Sequence, residues 1–540
     1  MAIYVNQVGY FTRGRKVALS TRACNYQIIR TSDSKCVYDG VASVGKYDES
    51  AREEVFSIDF DEVCECGRYY VLAGNGERSV NFEIKDNLYD DVLTDSMRCL
   101  YYQRCGMELE AQYAGEYVHP ACHLRPVIML EDYINKTENP FEYDMSGGWH
   151  DAGDYGRYVS AGAVAVGHIL YAYELFPDRF TGSLNIPESG NGIPDILNEC
   201  YYELSFLLKM QDADGGVHHK LTAYNHPDFI MPQDDLDPFY IFPVSSLATA
   251  DFAAVMALAA RVYRDFMPEF SEIALDAARL AAWWLEEHDY VGFHNPEGCN
   301  TGEYDDDDDV DERLWAYAEL VRTDNENRSK YMKRLNEMSV KCSGKTDFGW
   351  TDVSGFASLC ILTDQKKSAG KLYDQYKKIV IDEACRLKAM IDENGYLVGM
   401  KPDDYVWGSN MVVLNRGMLL ALADMISVGD DSGAYRESVI FHLDYIFGRN
   451  AMDTSYVTGY GEHAFKNPHA RVTECDGIDA PMPGWVSGGP FKAPCDPAAL
   501  EALKPDTAPM KCYVDHVGSY STNEITIYWN SPLIFLCAYL

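Results

Sequence analysis

The segment Gly147-Gly148-Trp149-His150-Asp151-Ala152-Gly153-Asp154-Tyr155-Gly156-Arg157 sets two carboxylates three positions apart, with small residues between them and glycines on both sides. On a tight turn or a first helical turn, Asp151 and Asp154 aim at one point, where a held water can lose a proton. Two acids this close disfavour joint ionisation. The arrangement therefore invites a functional reading beside the plain one, a Gly/Asp-rich turn. A hydrolase also needs an opposing acid. The best candidate is Glu524 in Ser519-Tyr520-Ser521-Thr522-Asn523-Glu524-Ile525, just before an apolar C-terminal run. The plain alternative is a helix-start Glu behind a Ser521 or Thr522 cap. A helix N-terminus lowers a carboxyl pKa, whereas a general acid needs it raised, so burial or the aspartates must prevail. Glycoside hydrolysis uses such a pair, an acid on the leaving oxygen and a base on water. Carboxyls about 6.5–9.5 Å apart invert the anomeric centre, and about 5–5.5 Å apart retain it.

Three further groups carry chemistry. Cys105, Cys122, His123 and His150 are the donor set of a closed, tetrahedral structural zinc site. Their spacing matches no finger pattern, and four unrelated buried residues are an equal reading. Asn467-Pro468-His469-Ala470-Arg471 puts an imidazole and a guanidinium two apart, able to bond sugar hydroxyls or simply to sit at a surface. Trp149, Trp350, Trp407, Tyr460 and Tyr520 lie in Gly-rich or helix-end contexts, where rings face a cleft or fill a core. Asp305 to Asp309, followed by Asp311 and Glu312, is either a calcium ligand set or a solvated charge run.

These side chains need elements to place them. Residues 1–85 read as an all-β sandwich: Lys16–Ser20, Tyr26–Arg30, Tyr69–Leu72 and Val80–Ile84 are short, β-branched or aromatic, and separated by turn residues. The period changes near Lys85-Asp86-Asn87, which sets the second unit at 86–540. That unit holds twelve candidate helices, near 89–105, 158–176, 193–212, 243–266, 270–289, 308–322, 326–339, 350–363, 367–391, 407–428, 431–448 and 521–540. Leu247–Leu258 is Ala-rich and apolar on most sides, as in a helix buried all round. Twelve such helices suit a toroid, an inner ring shielded by an outer one, although a generic bundle fits the count as well. Residues 449–520 are Gly/Pro-rich, and a loop that long in a compact unit is usually functional.

Composition narrows the partners. The 540 residues carry 46 Lys and Arg against 84 Asp and Glu, a net charge of −38. Such a surface repels phosphate backbones and anionic lipid, so a neutral ligand is expected rather than nucleic acid or membrane. No run reaches the ~18–20 apolar residues of a membrane-crossing helix. The first ten residues lack the basic and apolar regions of a secretion signal. A cytosolic protein, or a secreted one whose leader has been removed, is expected. Most of the sixteen cysteines are isolated, as Cys360 and Cys537 are in apolar stretches, which favours a reducing compartment.

Taken together, the segments resemble glycoside hydrolase family 9, the inverting cellulases, over the full length. Tyr4-Val5-Asn6-Gln7-Val8-Gly9-Tyr10 is similar to the opening of that family's immunoglobulin-like module. Tyr101–Gly106 and Gly147–Tyr158 resemble its first helix and base motif. Gly192–Leu197 and Trp407-Gly408-Ser409-Asn410 resemble further landmarks, Asn467–Arg471 its sugar-binding motif, and Gly518–Pro532 its acid motif. The resemblance implies an immunoglobulin-like β-sandwich followed by an all-α (α/α)6 barrel. It implies Asp154 as base, Asp151 as its partner in holding water, and Glu524 as acid. It implies structural zinc on Cys105, Cys122, His123 and His150, and calcium at Asp311 and Glu312. His469, Arg471, Tyr520, Trp407, Trp350 and Tyr460 are the expected sugar contacts. The expected activity is that of a monomeric endo-β-1,4-glucanase on β-glucan or cello-oligosaccharide. An exo-acting cellodextrinase or exo-β-glucosaminidase is the close alternative. A zinc-dependent hydrolase using His150 and Cys105, and a non-catalytic sugar-binding protein, are the more distant ones. Two departures stand out: Ala470 replaces a histidine found in many relatives, and the loop 474–509, with Cys475 and Cys495, is long enough to wall off one end of a cleft.

Overall fold

The computed structural model describes residues 2–427 and 433–540; the expected helix ends at 428 and 431–432 lie outside the described residues. The N-terminal strands alternate as half-buried strands must. In Gly67–Ala73, Tyr69, Val71 and Ala73 are buried while their neighbours are not. Two sheets form. One has four strands in the order Ile3–Tyr4, Val17–Ser20, Glu53–Asp59, Lys46–Asp48. The other has five, in the order Gly9–Tyr10, Phe82–Ile84, Gly67–Ala73, Asn25–Arg30, Lys35–Val41. Ile3, Val5, Tyr10, Ile28, Phe60, Tyr69 and Phe82 fill a core of their own. Tyr4, Val17, Leu19 and Val55 instead join the core of the helical part.

Twelve helices of ten residues or more follow among the described residues. They are α1 (Asp90–Tyr102), α2 (Val159–Leu175), α3 (Asp195–Lys209), α4 (Ser246–Val262), α5 (Pro268–Glu287), α6 (Val310–Thr323), α7 (Arg328–Lys341), α8 (Ser354–Thr363), α9 (Leu372–Glu393), α10 (Ser409–Ile426), α11 (Arg436–Ile446) and α12 (Ile527–Tyr539). The even-numbered helices pack in a closed circuit, α2 on α4, α4 on α6, and on round to α12, which returns to α2. The odd-numbered helices lie against them.

The sequence dictates which helix goes where. All but three residues of α2, and all but one of α12, counted over the helix spans, are buried, and neither has a polar face. By contrast, α9 buries only Leu372, Tyr376, Val380, Ala384, Leu387 and Ile391, a stripe at helical spacing.

One expectation needs correcting: the second part is not all-α. Ile128–Met129, Phe239–Ile241, Lys220–Ala223 and Arg157–Tyr158 form a four-stranded sheet, in that order. Strands this short, drawn from loops between helices, leave no periodic signal. Their ladders satisfy backbone groups that a buried loop would otherwise leave unpaired. No helix of the described residues is long and apolar enough to cross a membrane.

Candidate active site

The inner helices α2, α6, α8, α10 and α12 are each entered by a segment carrying a candidate residue. These are Asp151–Tyr158, Tyr304, Trp350, Trp407 and Glu524. Asp151, Asp154, Tyr158, Tyr304, Trp350, Trp407 and Glu524 line one cavity of about 800 Å³, together with His226, His469, Arg471, Tyr520 and Tyr528. That volume is in the range of a site for an extended small ligand.

Backbone hydrogen bonds bring the distant segments together. Ile527 N donates to Asp151 O at 2.9 Å, His469 N to Asn523 O at 2.9 Å, and Arg471 N to Gly153 O at 3.1 Å. Gly153 is required here, because a Cβ on it would stand 2.0 Å from His469 O. Below the turn, Trp149 is core rather than cleft: it is buried, and its Nε1 donates to Glu199 Oε1 at 2.9 Å. Arg157 ties the same turn down by donating to Met145 O and Gly147 O.

The three carboxyls sit in different environments. Asp154 Oδ2 receives Gly156 N at 3.1 Å and Tyr158 OH at 3.2 Å, and His226 Nδ1 lies 3.3 Å away. Burial would raise its pKa, but His226, Arg471 and the Gly156 amide outweigh burial and hold it below the usual carboxylate range. Asp151 Oδ2 accepts from Tyr304 OH at 2.5 Å, while Oδ1 is buried without a partner. Burial, then Asp154, pushes Asp151 well up. Glu524 is pushed well up by withdrawal from water and by Asp154 and Asp151.

The sequence tension at Glu524 is resolved by geometry. Glu524 is extended and precedes the helix; the cap of α12 is Thr526, whose side chain accepts from Trp529 N. Thr526, not Glu524, therefore caps the helix.

Among the expected sugar contacts, His469, Arg471, Tyr520, Trp407 and Trp350 line the cavity. Burial lowers the His469 pKa to about 4, and its Nδ1 donates to Val517 O at 2.6 Å, so Nε2 is left as an acceptor. Arg471 serves largely to brace the wall, donating to Gly153 O and Pro227 O. Tyr460 is a correction: it does not line the cavity, and its OH donates to Asp95 Oδ2 on α1 at 2.7 Å. The loop 474–509 is pinned rather than loose. The buried Asp496 accepts from Ser519 Oγ and Ser521 N, and Cys495 reaches the cavity.

Sequence reasoning missed His226, Tyr304 and Tyr528. His226 sits in an unremarkable Asn-His-Pro turn, and Tyr304 is masked by the acidic run that follows it. No spacing links either to the aspartates.

The metal expectations divide. Cys105, Cys122, His123 and His150 each offer a ligand atom, and these atoms all lie within 4.8 Å of one another. His123 Nδ1 is buried without a partner, while its Nε2 lies 3.3 Å from Asp235 Oδ2. One ring nitrogen turned inward and the other on a carboxylate is how a metal-binding histidine is oriented. Asp311 and Glu312 behave otherwise. Asp311 Oδ1 is taken by Lys345 Nζ at 2.8 Å and Oδ2 by Val353 N at 2.8 Å. Glu312 is raised well above the carboxylate range by burial, then by Asp311 and Asp251. Neither belongs to a group of three ligand atoms within reach of one ion among the described residues.

Comparison with known proteins shows the family. Residues 89–537 match the model of Glycosyl hydrolase family 9, and residues 1–79 match the Cellulase N-terminal ig-like domain. A Cellodextrinase of Butyrivibrio fibrisolvens is 40% identical, over 99% of this chain and 98% of its own length. Endoglucanase D of Acetivibrio thermocellus is 35% identical, over 99% of this chain and 83% of its own. The structure of AaCel9A in complex with a cellobiose-like isofagomine superposes with a TM-score of 0.91 at 33% identity, covering 100% of this chain and 99% of that one. The chain thus belongs to glycosyl hydrolase family 9, with a cellulase immunoglobulin-like domain at its N-terminus.

Proposed function

We propose that this protein hydrolyses β-1,4-glucosidic bonds in β-glucan or cello-oligosaccharides by single displacement with inversion. The carrying observation is that Asp151, Asp154 and Glu524 line one cavity; their surroundings favour the ionised form of Asp154 and the protonated form of Glu524. All three donors to Asp154 fall on Oδ2, so Oδ1 is the oxygen left to take a proton from water. Asp151 Oδ1, buried and unpartnered, is the second anchor for that water. The water attacks the anomeric carbon while Glu524 gives its proton to the departing oxygen. Trp350, Trp407 and Tyr520 supply flat faces for sugar rings, and His469 Nε2 accepts from a hydroxyl. The test is the anomer first released from a cello-oligosaccharide, followed by NMR. The α-anomer is expected, and β-anomer would overturn the reading.

The cellodextrinase relative, matched over nearly the whole of both chains, favours an exo reading beside the endo one. Products from a long soluble glucan separate them: random internal cuts mean endo, stepwise end units mean exo. The scaffold is read as an (α/α)6 barrel behind a β-sandwich, divided at 85/86. The protein is read as a monomer acting on neutral glucan rather than on nucleic acid or a membrane.

Cys105, Cys122, His123 and His150 suit zinc, which would supply structural cross-linking between the end of α1, the 122–123 loop and the base turn. With four protein ligands it leaves no position for water, so no catalytic step runs through it. One zinc per chain is expected by elemental analysis. Chelation, or Cys105→Ser, is expected to lower Tm by on the order of 5 °C. A metal-free chain with unchanged Tm would remove this assignment.

A further inference from the structure

Asp151 and Asp154 are each bonded by a tyrosine, and both tyrosines depend on one loop. Tyr304, which donates to Asp151, belongs to the loop. Tyr158, which donates to Asp154, accepts at its own hydroxyl from Gly302 N at 3.0 Å. Residues 295–304 contain no helix and no strand, so hydrogen bonds within an element do not fix them. Two adjacent side chains do.

Lys220, at the start of the strand Lys220–Ala223, is fully buried. Its Nζ donates to Asn295 Oδ1 at 2.6 Å, Thr301 Oγ1 at 3.0 Å and Gly302 O at 2.7 Å. An ammonium has three donors, and all three go to this loop. The charge lies among aromatic faces, 4.4 Å from the centre of the Phe242 ring and 5.7 Å from that of Tyr158. The buried His219 continues the grip. Its Nε2 is 2.8 Å from Glu303 O and its Nδ1 is 2.8 Å from Ser245 Oγ. Burial keeps this imidazole neutral, its pKa down to about 3. With one N–H to give, it donates from Nε2 to Glu303 O and accepts the Ser245 hydroxyl at Nδ1. Phe293 stacks on the ring at 4.0 Å. Three consecutive loop residues, Thr301, Gly302 and Glu303, are thus held directly before Tyr304.

We propose that Lys220 and His219 form a clamp that positions both aspartates, acting through Gly302 on Tyr158 and through the chain direction on Tyr304. Neither clamp residue touches the reacting atoms. Packing alone would not call for a lysine in an aromatic box, since a methionine fills it without desolvating a charge. Burial lowers the Lys220 pKa to about 8, and three loop acceptors converge on the ammonium. The catalytic part of this proposal rests on the reading of Asp151 and Asp154 given above.

The test is Lys220→Met in the full chain. A catalytic constellation displaced by about 1 Å loses about 10²-fold. We expect kcat on cellotetraose to fall by about that factor, KM to change far less, and hydrogen exchange in 295–304 to quicken. If the clamp works through Tyr304 and Tyr158, Lys220→Met and Tyr304→Phe are not additive, and the double variant is little worse than the poorer single one. Additive losses, or wild-type kcat in a folded Lys220→Met, would overturn the clamp. Should Lys220→Met fail to fold, Asn295→Ala with Thr301→Val removes two acceptors instead, and an unchanged kcat there overturns it equally. Asp154→Asn is the control that separates the two ideas. Full turnover in Asp154→Asn would sink the reading of the aspartates and the catalytic part of the proposal with it. Loss there beside an intact Lys220→Met would sink the clamp alone.

Discussion

Glu524→Gln is expected to lower kcat on cello-oligosaccharides by about 10³-fold, within the usual span for removal of a general acid. Gln is isosteric and cannot give up a proton. The fold should be kept, because the Glu524 backbone, not its carboxyl, carries the bond from Gly488 N at 2.8 Å. The loss must depend on the leaving group. An aryl cellobioside whose phenol departs unprotonated should lose far less than cellotetraose. Near-normal turnover of cellotetraose would remove Glu524 from the mechanism, and equal losses on both substrates would leave it a binding role only.

Asp154→Asn is the second large effect, also about 10³-fold in kcat, with melting unchanged within a few degrees. Here the loss should be the same for good and poor leaving groups, because water activation is needed in either case. That contrast with Glu524→Gln separates base from acid in one pair of assays. The pH profile gives the sign. Asp154 works ionised and is held below the usual range, so activity persists into acid and falls only as pH drops through that lowered pKa. Glu524 works protonated and is raised, so activity falls as pH climbs through its pKa. The result is a bell in kcat/KM. Residual activity of Glu524→Gln on the aryl substrate should lack the alkaline limb. An alkaline limb that survives in that variant would assign the raised group elsewhere. Asp151, also raised, titrates as part of the same trio, so the limbs belong to the cluster.

Much of the scaffold was legible because long helices write their period into the chain. Among the described residues the twelve helices fall where expected, with ends shifted by up to six residues, and the strands at Val17–Ser20, Asn25–Arg30 and Gly67–Ala73 fall on their hydrophobic runs. The short strands at 128–129, 157–158, 220–223 and 239–241 were not legible, since two to four residues carry no pattern.

The sequence by itself determined the chemistry on offer: three carboxyls, a Cys2His2 donor set, and an imidazole and a guanidinium two positions apart. Residue types were enough for that, because carboxyls, thiols and imidazoles limit what a site can do, while the roles assigned to them came from the family resemblance. Only the tertiary structure decided the pairings. It put His226 on Asp154, Tyr304 on Asp151 and Lys345 on Asp311, sent Tyr460 to Asp95, and placed Glu524 ahead of its helix rather than inside it. The reason is physical. A pKa, a bound water or an ion pair depends on which groups meet within a few ångströms in a low-dielectric interior. That meeting is set by how a ring of helices closes, not by distance along the chain.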